Sequence, residues 1–374
     1  MKVCGIVAEF NPLHNGHKYL IDQVRAQLNP DFLIVVMSGN YVQRGEVACF
    51  DKWNRSKMAL DMGVDLIIEL PFQYATAAVE IFAQGAVEIL NELKCDYIAF
   101  GTEDAGFNYL AAAQQSIDNM SEIAELKDYS KSYATQLNEF MMEELGLVIN
   151  NPNQMLGFNY ALQIVKNNYS MKIFPIDRMN VTHDSTNVVG NIASASKIRN
   201  ELIAGNDISN LVPMKLTNHL QVSKEEMFSL LKYRVITSSA VELSNIYQMV
   251  EGLENRLKDV VMESDSIDDL LEKLKSKRYT YARLRRLMLY TLLNVTEDDI
   301  KQSQNYLHIL GFNELGKKYL NQTKKDMNLP IITKVSKQIG DINGVMYLQV
   351  KVDNFVSIFN HTEQNFKRNP EMEL

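Results

Sequence analysis

The chain has 374 residues, 46% of them apolar, and a formal net charge of −8 at pH 7. That length accommodates two domains, each with its own core, and the acidic balance counts against indiscriminate binding to nucleic acid while allowing a local basic face. No apolar run approaches the roughly 20 residues of a membrane helix, Met1-Lys2 leads straight into an apolar strand with no signal-peptide pattern, and Cys4, Cys49 and Cys95 lack metal-ligand spacing, so they read as reduced buried thiols of a cytoplasmic protein.

Val3, Cys4, Ile6, Val7 and Ala8 predict a strand buried on both faces. Asn11-Pro12 ends it, and a helix follows with Leu20, Val24 and Leu28 on one face. His14, Gly16 and His17 stand where that helix begins. The first N–H groups of a helix lack partners within it and its dipole favours anions there, so a phosphate fits. Imidazoles three residues apart can donate to phosphate oxygens as charge develops. The H-x-G-H pattern after a strand therefore points to a triphosphate-binding turn for nucleotidyl transfer.

Phe32 to Met37 reads as a second buried strand. Its loop, Ser38-Gly39-Asn40 and then Gln43 and Arg44, stands at a carboxyl end, where doubly wound sheets bind ligands. Arg44 is either a clamp for a carboxylate or phosphate or a solvated loop arginine. Asp51 is placed to cap a helix from Lys52 to about Met62. Lys52, Arg55 and Lys57 in its early turns oppose the dipole, which suggests that they face an anion or a carboxylate, unless they form an ordinary charged face. Gly63 reads as the C-cap, Asp65 to Leu70 as a third strand, Ala75 to Leu93 as one long helix, and Tyr97 to Phe100 as a fourth strand. Gly101 follows, where backbone can pass close to a purine or ribose.

Tyr109, Ala112, Ala113 and Ile117, then Leu137, Phe140, Met141 and Leu145, predict a helical insertion over about 105–150. Asn151-Pro152-Asn153-Gln154 caps a helix with Leu156, Phe158, Tyr160, Ala161 and Ile164 on its apolar side. Met171 to Ile176 is a fifth strand, placed near an edge by Pro175, and Arg178 after it can pair with phosphate. His183 reads as a structural histidine, with a polar contact near the following loop as the alternative. In Ile192 to Leu202, Ser194 and Ser196 open a helix whose first turns carry Lys197 and Arg199, a second N-terminus suited to phosphate. Strands and helices thus alternate through an α/β domain spanning 1–212, with a parallel sheet covered on both faces.

After Pro213 the alternation stops, and 213–374 reads as a mainly helical domain. Lys273 to Leu293 concentrates positive charge, with Lys275, Lys277, Arg278, Arg283, Arg285 and Arg286 around Tyr279 and Tyr281. Basic side chains neutralise phosphates and tyrosines stack on unpaired bases; the alternative is a solvated helix face. Leu307, Ile309 and Leu310 form a short apolar segment, a helix runs through Gly316 to Met327, and Ile331–Val335 and Val345–Val352 look strand-like. This tail completes the helical domain or covers part of the cleft.

HNGH resembles the HxGH signature of the nucleotidyltransferase superfamily. The longer strings AEFNPLHNGH, SGNYVQRGE and IASASKIR resemble one family within it, the bacterial tRNA(Met) cytidine acetate ligases. The second motif departs from the superfamily's usual Ser-Ser-Thr-x-x-Arg in the way that family does. The resemblance implies a Rossmann-like, HUP-type fold. It implies ATP against Val7, Ala8, Glu9, Phe10, Asn11, Pro12, Gly16, Leu20, Gly101, Asn153, Arg178, Ser194 and Ser196, with Mg2+ on the triphosphate. His14, His17, Lys197 and Arg199 would act in catalysis, and Ser38, Gly39, Asn40, Gln43 and Arg44 would form the acetate loop. Elongator tRNA(Met) would bind through Lys275, Lys277, Arg278, Tyr281, Arg283, Arg285 and Arg286. Acetate would attack ATP to give acetyl-adenylate, and the wobble cytidine would take the acetyl group as N4-acetylcytidine. Residue chemistry without the resemblance gives ATP-dependent nucleotidyl or adenylate chemistry. It leaves open a metabolite adenylyltransferase and a noncatalytic RNA-binding protein that keeps a nucleotide fold, and it assigns no general base.

Overall fold

In chain order the first half forms β1 (Val3–Ala8), α1 (Asn15–Gln23) with a π-turn over Val24–Leu28, β2 (Phe32–Ser38), β3 (Tyr41–Val42), β4 (Glu46–Val47) and α2 (Lys52–Asp61). There follow β5 (Leu66–Leu70), α3 (Phe72–Ala75), α4 (Val79–Glu92), β6 (Tyr97–Thr102), α5 (Tyr109–Asp118), α6 (Pro152–Lys166), β7 (Lys172–Asp177) and α7 (Ala195–Ile203). The computed structural model describes residues 1–119, 151–178, 191–214, 222–250 and 252–373, with 139, 142 and 149 besides. Leu137, Phe140, Met141, Leu145 and His183 lie outside the described residues.

The apolar runs pair in parallel in the order β5-β2-β1-β6-β7. Side chains alternate between faces as the pleat requires. Cys4, Ile6, Ala8, Leu33, Val35 and Ile67 pack on one side with Ile21, Val24 and Trp53. Val3, Ile34, Val36, Ile68 and Ile98 pack on the other with Phe82, Val87 and Phe158. β7, which contains Pro175, is an edge strand. The strand order reverses between β2 and β6 on either side of β1, so a crevice opens at the carboxyl ends of β1 and β6.

The expected helix from Ala75 to Leu93 is broken. Thr76 to Ala78 interrupt it between α3 and α4, and the Thr76 hydroxyl donates back to the Phe72 carbonyl at 2.9 Å.

The second half contributes α8 (Lys224–Thr237), α9 (Ala240–Ser244), α10 (Leu253–Val261), α11 (Ile267–Leu274), α12 (Tyr281–Leu292) and α13 (Glu297–Gln302). Then come β8 (Leu307–Asn313), α14 (Glu314–Thr323), β9 (Ile331–Ile332), α15 (Lys337–Gly340), α16 (Tyr347–Asn360) and β10 (Glu371–Glu373). The helices share a core through Leu231, Leu257, Leu271, Leu287 and Val352. β8 returns to the sheet and pairs antiparallel with β5. Val345–Val352, expected as a strand, lies mostly in α16, because Leu348, Val352, Phe355 and Val356 repeat at helical spacing and bury one stripe in the helical core. No described helix is long and apolar enough to cross a membrane.

Candidate active site

The crevice holds a cavity of about 410 Å³ lined by the carboxyl ends of β1 and β6, the start of α1, the start of α7, the β3–β4 hairpin and one side of α6. The chain leaves β1 through Phe10, which has φ of +47°, a left-handed conformation that a bulky residue rarely adopts. His14 is the N-cap of α1, and its Nδ1 accepts the Gly16 N–H at 3.1 Å. His17 Nδ1 accepts the His14 N–H at 3.2 Å. The two imidazoles thus form a reciprocal capping box, with the rings stacked 3.8 Å apart. With both Nδ1 atoms accepting from backbone, each neutral ring carries its proton on Nε2. Burial, with His14 and Arg178 adding to it, holds His17 well below the usual histidine range. The turn therefore offers neutral N–H donors.

Ser194 caps α7 by accepting the Lys197 N–H at 3.2 Å. Arg199 Nη1 donates to the Asn11 carbonyl at 2.8 Å and Nη2 to Ser196 Oγ at 3.3 Å, while Glu46 stands 3.7 Å away. Asn15 Nδ2 donates to the carbonyls of Asn191 and Asn210 at 2.7 and 2.9 Å. Two helix N-termini distant in sequence are thereby fixed against each other around one cavity. Its wall includes Val7, Ala8, Glu9, Phe10, Asn11, His14, Gly16, His17, Leu20, Ser194, Ser196 and Arg199. Pro12 is not in the wall. Lys197 is not either, being paired with Glu201 one turn along α7.

Gly101, Asn153 and Arg178 meet at the far wall. Asn153 Nδ2 donates to Glu103 Oε1 at 2.6 Å, which leaves its carbonyl oxygen as the acceptor. Burial lowers the Arg178 guanidinium and Glu103 opposes that shift.

Of the loop expected to meet acetate, Gln43 and Arg44 line the cavity on the hairpin. Ser38, Gly39 and Asn40 do not. Arg55, wholly buried, donates from Nη1 to the Ser38 carbonyl at 3.0 Å and from Nη2 to the Gly39 carbonyl. Asn40 Nδ2 donates to Asp353 Oδ1 at 2.9 Å and to Gln364 Oε1 at 3.0 Å. The early-turn cations of α2 have thus found partners: Arg55 holds carbonyls, Lys52 holds Glu69 and Asp353, and only Lys57 stays on the surface with Asp61.

The basic stretch divides. Lys277, Arg278 and Tyr281 are exposed, Lys275 lies over the Tyr281 ring at 5.5 Å and Arg283 over Tyr279 at 4.5 Å. Arg285 is half-buried. Arg286 is buried, and its Nη1 donates to the Gln43 carbonyl at 3.3 Å. Gly45 allows this contact. Its φ is +78°, and a Cβ there would fall 2.5 Å from the Arg286 backbone nitrogen.

Sequence reasoning did not single out Val79, Phe82, Tyr160 and Glu46 as wall residues. The first three look like core positions of α4 and α6, and nothing in the spacing marks them otherwise. Glu46 had a signal in its place two residues after Arg44.

The profile of the family described as HIGH Nucleotidyl Transferase matches residues 1–371. The tRNA(Met) cytidine acetate ligase of Latilactobacillus sakei is 44% identical over 380 residues, covering 99% of this chain and 97% of that protein. The protein of the same name from Lactobacillus gasseri is 40% identical over 99% of both. Among solved structures, Thermotoga maritima TmcAL without ligand superposes with a TM-score of 0.89 at 28% identity, covering 100% of this chain and 99% of that one. The same protein bound with alpha-thio ATP gives 0.86.

Proposed function

The chain belongs to the HIGH nucleotidyl transferase family, among its tRNA(Met) cytidine acetate ligases, and we propose that it uses ATP and acetate to convert the wobble cytidine of elongator tRNA(Met) to N4-acetylcytidine through acetyl-adenylate. The observation that carries this reading is the pair of helix N-termini, HNGH and Ser194–Arg199, facing one cavity.

An acetate oxygen attacks the α-phosphorus in line and the bond to the β-phosphate breaks, releasing pyrophosphate. Neutral Nε2–H groups of His14 and His17 donate to phosphate oxygens as charge shifts onto the leaving group, and Arg199 and Arg178 supply fixed positive charge. Mg2+ bound with the triphosphate would offset part of its charge. Among the described residues no group of three or more His, Cys, Asp or Glu is placed to hold a metal ion. Lys197, beside Glu201, contributes by charge near the helix start. The adenine amine meets the Asn153 carbonyl oxygen. In the second step the cytidine amine attacks the acetyl carbonyl and AMP leaves. An anticodon base is already unpaired, so little pairing energy is lost in presenting it. Lys277, Arg278 and Tyr281 meet the tRNA, and the reaction takes place in the cytoplasm.

The test is ATP–pyrophosphate exchange with acetate, followed by addition of elongator tRNA(Met) and mass analysis of its nucleosides. Exchange that requires acetate, with N4-acetylcytidine formed only when tRNA is present, is the expected result. No exchange with acetate, with or without tRNA, overturns the reading.

A further inference from the structure

We infer that Glu9 is the general base that takes the proton from the cytidine amine during acetyl transfer, an inference that rests on the function proposed above. Glu9 follows the last residue of β1 and lines the cavity where the phosphate turn meets the β3–β4 hairpin. Its Oε1 accepts the Gln43 N–H at 2.8 Å, so the carboxylate is held in place. The wall beside it changes character. Away from the two helix N-termini it is built from Val42, Val79, Phe82, Phe100 and Tyr160. An apolar end suits a mixed anhydride that water would destroy. The Tyr160 hydroxyl is buried and has no hydrogen-bond partner among the described residues. It is a donor in want of an acceptor, and the N3 and O2 atoms of cytosine are acceptors.

The other candidates in the wall are occupied. His14 and His17 use their Nδ1 atoms to cap α1 and carry protons on Nε2. Asp177 is exposed, so its carboxylate is solvated besides accepting the Ala105 N–H at 2.9 Å. Glu46 faces Arg199 at 3.7 Å. The charged and titratable groups facing Glu9 are Glu46 and Arg44 from the hairpin, Arg199 from α7, Tyr160 from α6 and Arg55 from α2, whose Nη1 donates to the Glu9 carbonyl at 2.6 Å. Burial pushes the Glu9 carboxyl above its ordinary value. The Gln43 N–H opposes this, Glu46 adds to it, and Arg44 and Arg199 lower it, with the rise prevailing. A carboxylate raised toward neutrality is a better base than an ordinary one.

The step balances without a further reactant. The N4 lone pair forms a bond to the acetyl carbon, and one N4 proton passes to Glu9. The tetrahedral centre then collapses, and the acetyl carbon–oxygen bond to AMP breaks with its electron pair leaving on the phosphate. Glu9 returns the proton to solvent.

The test separates the half-reactions in the full-length protein. Acetate-dependent ATP–pyrophosphate exchange reads the first. Transfer from preformed acetyl-adenylate to elongator tRNA(Met), in a single turnover, reads the second. Glu9→Gln is expected to lower the ratio of transfer to exchange about 100-fold, within the usual range for a positioned base. The wild-type transfer rate should rise with pH through the Glu9 titration and flatten in Glu9→Gln. Glu9→Asp, which keeps a carboxylate, should recover part of the rate and the pH dependence. Equal losses in both half-reactions would overturn the inference by making Glu9 a binding or structural residue. So would an unchanged pH profile in Glu9→Gln, or transfer at the wild-type rate. Failure of the functional reading is seen separately, as a wild-type protein that neither exchanges nor transfers.

Discussion

Lys52 offers a sharp test of how the end of the chain is bound to its beginning. Its ammonium, wholly buried, donates to Glu69 Oε1 and Oε2 at 2.8 and 3.0 Å, to Asp353 Oδ2 at 2.7 Å and to Asn365 Oδ1 at 3.0 Å. Glu69 also meets His308 Nδ1 at 2.5 Å. Burial, against the pull of Glu69, keeps His308 below its usual range, so the ring is a neutral donor. Lys52→Met leaves two buried carboxylates without a counter-ion. Breaking a buried pair in this way costs about 3–5 kcal/mol, out of a total stability of roughly 5–15 kcal/mol. With a urea slope of about 3 kcal/mol/M, the midpoint at pH 7 should fall by about 1 M or more.

The pH dependence fixes the cause. Burial would raise the Glu69 carboxyl, but Lys52 and His308 outweigh it and hold it at about 2, below the ordinary 4.5. A depressed carboxyl gives the wild type stability that is present above the ordinary value and lost as pH falls toward 2. That shift corresponds to roughly 3 kcal/mol. In Lys52→Met burial acts on the Glu69 carboxyl without the ammonium to oppose it, so acid should restore stability by protonating it. The variant and the wild type should therefore converge between pH 7 and pH 4. Urea titrations across that range provide the measurement. A loss below about 1 kcal/mol at pH 7, or a variant that weakens with acid in parallel with the wild type, would refute the reasoning.

Gly45→Ala should destabilise the protein by about 1–3 kcal/mol, because a positive φ and the Arg286 backbone both exclude a Cβ; thermal melting measures it, and an unchanged midpoint would show the hairpin free to move. Lys277→Glu with Arg278→Glu should weaken tRNA binding and reduce the slope of log affinity against log salt by about 2, with acetate-dependent exchange unchanged. Filter binding across a salt series reads the first and exchange the second. Ser194→Ala should cost about 1 kcal/mol of stability through the lost cap and raise the KM for ATP by loosening the start of α7.

The parts of the site that were legible in sequence are those made by local rules. Apolar runs gave β1, β2 and β5, and Ser194 declared the start of α7. The HNGH turn could be placed because its geometry depends on residues within four positions. The Lys52 mismatch with the α2 dipole correctly suggested a carboxylate, but its partners lie 17 and 301 positions away and no pattern connects them. The same distance hid β8, whose apolar run was visible while its pairing with β5 was not. Around the start of α16, Val345, Val350 and Val352 suggested a strand by composition, although Leu348, Val352 and Phe355 already carried the helical period.

The hairpin was illegible for a different reason: its strands are two residues each, and its position comes from contacts on both sides. Those contacts converge on one residue. The Gln43 carbonyl accepts from Arg286 on the basic helix α12, and the Gln43 N–H donates to Glu9 in the cavity. Tyr41 beside it donates from its hydroxyl to the Val352 carbonyl at 2.5 Å, and Asn40 is held by Asp353. The helical second half therefore supports the hairpin that lines the cavity, besides carrying the basic stretch. A fragment ending near 212 would lose Arg286, Val352 and Asp353 together, leaving Lys52 and Arg55 buried beside an unsupported loop. Gln43 thus joins Glu9 in the cavity wall to Arg286 on α12 through two hydrogen bonds, and this ties the cavity to the C-terminal half folded against it.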